Sequence, residues 1–163
     1  MRDSFVESLI DIAKKDFNIV LLTADLGFGV FEKFEEKYKD QYFNVGVAEQ
    51  NMTGVAVGMA LEGKKVFTYS IANFPTLRCL EQIRNDACYH NANITIISSG
   101  GGFSYGPLGM SHHATEDLSI LRSLPNTTIT TPCTELDVKM LTKELSKISN
   151  VCYLRLDKSY CKE

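Results

Sequence analysis

Phe43-Asn44-Val45-Gly46-Val47-Ala48-Glu49-Gln50-Asn51-Met52 leaves a short apolar strand through a glycine and sets a carboxylate at the mouth of a helix. The run that follows, Thr53-Gly54-Val55-Ala56-Val57-Gly58-Met59-Ala60, is small and mostly apolar, which suits a helix lying close to other backbone. Taken alone, Glu49 has an ordinary explanation, because an acid in the first turn favours the positive end of the helix dipole. The strand–turn–helix order around it is the more telling feature, since the same alternation continues in both directions.

Toward the N-terminus, Phe5, Leu9 and Ile12 share one face of a helix over 4–15, with Ser4 and Glu7 spaced as a capping box. Ile19–Thr23 is a continuous apolar run of strand length, and Phe31–Lys39 is a short amphipathic helix with Phe31, Phe34 and Tyr38 inward. Tyr42–Val45 reads as a strand and Glu49–Leu61 as a helix that Gly63 can stop. Beyond it, Val66–Ser70 is a strand, and Pro75 opens a helix carrying Leu77, Leu80, Ile83 and Ala87. Ile94–Ser98 is a strand leading into a glycine-rich loop. Glu116–Ser123 is a helix, Thr128–Thr131 a strand, Glu135–Ile148 a helix opened by Thr134, and Val151–Leu156 the last strand. Apolar strands separated by helices predict an α/β fold: a mostly parallel six-stranded sheet with helices on both faces. Ligands of such sheets sit beyond the carboxyl ends of the strands, so chemistry belongs in the loops 24–29, 46–49, 71–74 and 100–113.

Composition narrows the function classes. The chain has 163 residues, 44% of them apolar and 23% charged, enough for one domain with a substantial core. A net charge of −3 without a basic cluster argues against a nucleic-acid partner. No apolar run approaches the roughly 20 residues of a membrane span, and the N-terminus lacks the apolar core of a signal peptide. Cys79, Cys88, Cys133, Cys152 and Cys161 are odd in number and widely spaced. They fit reduced thiols in a cytoplasmic protein better than disulfides or a zinc site, and no metal ligands are expected in this chain.

Phosphate motifs are incomplete. Gly58-x-x-x-x-Gly63-Lys64-Lys65 nearly spells a P-loop, but it ends a helix and enters a strand, and Lys65 replaces the required hydroxyl. Gly27-Phe28-Gly29 and Gly100-Gly101-Gly102 both miss the dinucleotide spacing.

Four blocks, in order, carry a resemblance. They are Thr23-Ala24-Asp25-Leu26; the Glu49 segment; Tyr69-Ser70-Ile71-Ala72-Asn73-Phe74 leading to Arg78 and Glu81-Gln82-Ile83-Arg84; and Ser111-His112-His113 leading to Glu116-Asp117. Together they resemble the pyrimidine-binding domain of transketolases, most closely the C-terminal subunit of split transketolases, with kinship to 1-deoxyxylulose-5-phosphate synthase. The resemblance implies a thiamine-diphosphate-binding fold, pyrimidine domain, over 1–163. It implies thiamine diphosphate as cofactor, with magnesium held by a partner chain.

By the same resemblance, Glu49 is the carboxyl that hydrogen-bonds the aminopyrimidine and favours its imino form, a role suited to a buried acid. Phe74 is the aromatic wall, although aligning on Arg78 puts Pro75 there instead. Asp25 and Leu26 lie near the cofactor, as does Arg78; Arg78 and Arg84 could bind phosphate, although an arginine on an amphipathic helix is more often at an interface or in a salt bridge. His112 is the active-site histidine, able to exchange protons with a sugar oxygen near neutral pH. His113 is its neighbour at the substrate, and Lys158 stands near the place of a phosphate-binding arginine. The family's Gly-Glu-Asp-Gly-Pro is here Gly106-Pro107-Leu108-Gly109-Met110, so Leu108 replaces a hydroxyl-gripping aspartate.

The implied reaction is transfer of a two-carbon ketol unit between sugar phosphates or related compounds. The diphosphate-binding and C-terminal domains are not expected within this chain, because the Gly-Asp-Gly signature is missing. The implied assembly is therefore a homodimer or heterotetramer with a partner subunit carrying the diphosphate-binding domain, meeting it along the small-residue helix of Gly54, Ala56, Gly58 and Ala60. Two alternatives stand beside it: a synthase condensing a 2-oxo acid with an aldehyde, and a non-catalytic assembly module that has kept the fold.

Overall fold

The computed structural model describes residues 1–158. Six strands form one sheet: β1 (Ile19–Thr23), β2 (Tyr42–Asn44), β3 (Lys65–Ile71), β4 (Ile94–Ser99), β5 (Thr127–Thr130) and β6 (Val151–Leu156). Their order is β2-β1-β3-β4-β6-β5, and every pairing is parallel. The unbroken apolar run of β1 follows from this architecture, since both faces of the strand are covered. Ile19 and Leu21 point into one core with Phe5, Phe31 and Val138, whereas Val20 and Leu22 point into the other with Met52, Ile83 and Leu121.

The first face is covered by α1 (Arg2–Ala13), α2 (Glu32–Lys37) and α6 (Glu135–Leu145). Ser8 Oγ donates to Lys139 O at 3.0 Å and Lys139 pairs with Glu7 at 2.8 Å, which fixes α1 along α6. The second face is covered by α3 (Glu49–Leu61), by α5 (Asp117–Arg122) and by a composite helical run between β3 and β4. That run is a 3-10 turn at Leu77–Cys79, a single α turn α4 (Leu80–Gln82) and a π segment at Ile83–Cys88.

Several local expectations are corrected. Ser4 and Glu7 form no capping box, because α1 begins at Arg2, its cap is Met1, and Ser4 is buried within the helix. Pro75 does not open the helix after β3 but sits in the turn before it, with Thr76 as the cap. The expected helix at 31–39 is α2 followed by a 3-10 turn at Lys39–Gln41. Thr134 does cap α6, in a capping box with Asp137. Gly58 lies in α3 and Lys65 begins β3, so the near P-loop joins helix to strand.

Cys79, Cys88 and Cys152 are buried as core residues and Cys133 is exposed, while Cys161 lies outside the described residues. On α3, Ala56 packs into the core, whereas Gly54 and Gly58 face open space. Among the described residues no helix is long and apolar enough to cross a membrane.

Candidate active site

The loops after β1, β2, β3 and β4 meet at the carboxyl edge of the sheet, where a doubly covered parallel sheet places its ligands. Glu49 is the first residue of α3 and only 3% exposed. Gly46, with φ of 75°, turns the chain between β2 and the helix, a conformation that favours glycine. The Glu49 carboxylate is not left alone in this position: Arg78 Nη1 donates to its Oε2 at 2.8 Å.

Arg78 comes from the turn after β3 and is itself 44% exposed. Its guanidinium carbon lies 4.2 Å from the centroid of the Phe74 ring, so the group touches both the carboxylate and the aromatic face. Phe74 reaches this position because Ala72 adopts φ of 44°, unusual for a residue with a side chain. The turn is held by Ala72 N donating to Ser99 O at 3.0 Å and by Ser98 Oγ donating to Ala72 O at 2.7 Å. Pro75, the other candidate for the aromatic position, is buried.

On the far side of Phe74 stands His112, their ring centroids 4.9 Å apart. Its Nδ1 is 3.0 Å from Ser111 Oγ, and Tyr105 lies 5.9 Å from it, centroid to centroid. The Lys158 ammonium sits 3.7 Å over the Tyr105 ring. Glu49, Arg78, Phe74, His112, Tyr105 and Lys158 thus form one contiguous row.

His113 is engaged differently. Its Nε2 donates to Gly106 O at 3.0 Å and its ring packs on Phe103 at 4.9 Å, which ties it into its own loop. That loop is closed at its base by reciprocal bonds between Gly102 and Ala114, at 2.7 and 2.9 Å. Asn73 Nδ2 joins it to the Phe74 turn by donating to Met110 O at 3.4 Å.

Asp25 has φ of 55° and faces Asn44, which accepts from Asp25 N at 2.9 Å and donates to its Oδ1 at 3.3 Å. Asn44 Oδ1 also accepts from Gly46 N at 3.0 Å, so one amide clips the β1 loop to the turn leading into Glu49. Leu26 follows Asp25, half-buried. Leu108 is exposed in the glycine-rich loop and offers no acceptor.

Two contributors are not legible in the sequence. Asn44 lies inside the decisive stretch, but its clip depends on a partner at Asp25, in the loop after another strand. Asp117 stands out there only as the end of a motif. It is fully buried, accepts from Tyr153 OH at 2.6 Å and from Arg155 Nη1 at 3.1 Å, and so fixes α5, where the glycine-rich loop ends, onto β6. Burial and the Asp117 carboxylate push the Tyr153 hydroxyl well above its ordinary range. Among the described residues, no group of three His, Cys, Asp or Glu side chains is placed to hold a metal ion.

A family model described as transketolase, pyrimidine binding domain, matches residues 1–162. A subunit of the apulose-4-phosphate transketolase of Phocaeicola vulgatus is 35% identical over 159 residues, spanning 97% of this chain and 51% of that protein. The putative transketolase C-terminal section of Methanocaldococcus jannaschii is 36% identical over 157 residues, spanning 96% of this chain and 50% of that one. Among solved structures, a split-gene transketolase described as an inactive beta4 tetramer superposes with a TM-score of 0.87 at 32% identity, covering 99% of this chain and 52% of that chain. The chain spans about half the length of the curated relatives it matches.

Proposed function

The chain belongs to the transketolase pyrimidine-binding domain family, and from that membership we propose that it forms the pyrimidine-holding half of a thiamine diphosphate site in an enzyme transferring a two-carbon ketol unit between sugar phosphates or related compounds. The observation that carries this reading is the buried Glu49 carboxylate, linked through Arg78 to the Phe74 ring. An acid held at a helix start by the dipole alone would sit in water, whereas this one is desolvated and paired with an arginine that stacks on an aromatic face.

The residues fit the pyrimidine end of the cofactor. Glu49 would hold a proton at a ring nitrogen, and Phe74 would bound the flat ring on one side. When bound, the cofactor would supply a nucleophilic thiazolium carbon, chemistry that no side chain provides. His112, whose ring packs against Phe74, would donate to or accept from a substrate oxygen. Lys158 adds positive charge at the end of the row, matching a phosphate as a point charge rather than a fork. Leu108 recognises by contact alone, so the hydroxyl that an aspartate would hold there goes unread.

Among the described residues no group of three His, Cys, Asp or Glu side chains is placed to hold a metal ion, and diphosphate and magnesium are assigned in this reading to a second chain carrying the diphosphate-binding domain. A relative named as one subunit of a transketolase and a neighbour described as a split-gene tetramer support that division. The test is co-purification from the native cell, mass-spectrometric identification of the partner, and calorimetry with thiamine diphosphate and magnesium. Binding by the complex and weak or no binding by this chain alone is the expected outcome. A complex that takes up no thiamine diphosphate overturns the reading.

A further inference from the structure

This chain's own arginine bridges Glu49 and Phe74, the two residues to which the reading above gives a flat ring. Arg78 Nη1 donates to Glu49 Oε2 at 2.8 Å while its guanidinium lies 4.2 Å from the Phe74 centroid. A guanidinium is planar, stacks on aromatic faces and presents N–H groups in its own plane. An aminopyrimidine is likewise a planar nitrogen-rich group with in-plane N–H donors. A buried carboxylate and an aromatic face suit either group, and the Phe74 face that Arg78 covers cannot take a second flat group at the same time.

We propose that Arg78 is a placeholder for the cofactor's pyrimidine: it stacks on Phe74 and neutralises Glu49 until the ring arrives, then swings out. The inference rests on the thiamine diphosphate reading above. Two features support displacement rather than permanent residence. First, Arg78 is 44% exposed while Glu49 is 3% exposed, so the arginine can return to water at small cost and the carboxylate cannot. Second, a bare Glu49 carboxylate in this position would be a buried unpaired charge, which folded proteins avoid. The placeholder therefore keeps the site preformed before the cofactor is bound. Displaced, the guanidinium would stand at the mouth of the slot, close to where an anionic substrate group enters.

The cost of the device is affinity, because part of the binding energy is spent expelling the arginine. The test uses the co-purified complex with thiamine diphosphate and magnesium as probe, titrated by calorimetry for wild type, Arg78→Met and Arg78→Lys. Loss of a half-exposed ion pair and one cation–π contact corresponds to roughly tenfold tighter binding for Arg78→Met. Arg78→Lys, which keeps the charge but cannot lie flat on Phe74, should fall between. Selective 15N labelling of arginine gives a readout needing no variant, since the Arg78 Nε–H resonance of the wild-type complex should move when the cofactor is added. Unchanged or weaker binding in both variants with a stationary Arg78 resonance overturns the placeholder and leaves the thiamine diphosphate reading intact. Absence of binding in wild type and variants alike overturns both.

Discussion

Arg155 lies against Gly101 so closely that no side chain fits there: a Cβ added at 101 would fall 2.5 Å from Arg155 Nε. The arginine cannot readily give way, because its other end is bonded to the fully buried Asp117. Gly101 begins the loop that delivers His112, so this contact sets the loop's origin against β6. Gly101→Ala should cost about 1–3 kcal/mol by overpacking, and Arg155→Leu about 3–5 kcal/mol by leaving a buried carboxylate without its countercharge. Urea unfolding midpoints measure both, and a midpoint unchanged in Arg155→Leu would contradict the network.

Tyr153→Phe tests the other half of that network. Asp117 would lose a 2.6 Å hydrogen bond while keeping Arg155, so the expected loss is about 1–3 kcal/mol. If Tyr153→Phe equals or exceeds Arg155→Leu in cost, the tyrosine rather than the arginine is the main support of Asp117.

Glu49→Gln separates a chemical from a structural role. In the proposed complex, the variant should fold and keep most thiamine diphosphate binding, yet lose several orders of magnitude in deuterium exchange at the thiazolium carbon. An amide can hydrogen-bond the pyrimidine but cannot share a proton with its nitrogen. Were the role of Glu49 only structural, the change would show as stability lost with the Arg78 ion pair and would leave exchange alone. Exchange followed by NMR decides between the two.

The cap of α6 should give a pH signature. Asp137 accepts from the backbone N–H groups of Thr134 at 2.9 Å and Cys133 at 3.1 Å, and hydrogen bonds with Thr134 hold its carboxyl below the usual range. Its folded pKa is depressed, so its contribution is complete above the unfolded carboxylate value of about 3.9 and is lost as pH falls through the folded one. Thr134→Ala should cost about 1 kcal/mol at neutral pH. Hydrogen exchange in the first turn of α6, compared at neutral and acid pH, reports whether the cap behaves this way.

Thiol labelling should divide the cysteines sharply. Burial pushes Cys79, Cys88 and Cys152 up to about 11, whereas Cys133 is exposed. At neutral pH an alkylating reagent should modify Cys133 quickly and the other three only on unfolding, because the thiolate is the reactive form. Rapid native-state labelling of Cys79, which lies next to Arg78, would show that the Phe74 turn opens.

How much of this is legible in the sequence depends on the range of the interactions. The runs Ile19–Thr23, Glu49–Leu61 and Val151–Leu156 have the bounds read from the sequence, because strands buried on both faces and a helix of small residues leave strong local patterns. The α6 cap is legible at Thr134 for the same reason, its partner Asp137 being three residues away. The Ser4 and Glu7 pair has the same spacing yet makes no cap, since contacts of α1 with the sheet and α6 draw the helix past Ser4. The break of the 77–88 run into 3-10, α and π pieces leaves no clear signal either, as it answers to packing against α3 and the sheet.

By itself, the sequence determined the α/β alternation; its resemblance to a known family proposed Glu49, Phe74 and His112 as the residues to look for at the carboxyl edge of the sheet. Only the tertiary structure decided what each of them touches. It paired Glu49 with Arg78, set Phe74 between that arginine and His112, turned His113 away into its own loop, and joined Asp117 to Tyr153 and Arg155. Backbone patterns repeat every two or 3.6 residues and can be read along the chain. A carboxylate and its partner 29 positions away meet only because two parallel strands end at the same edge of the sheet.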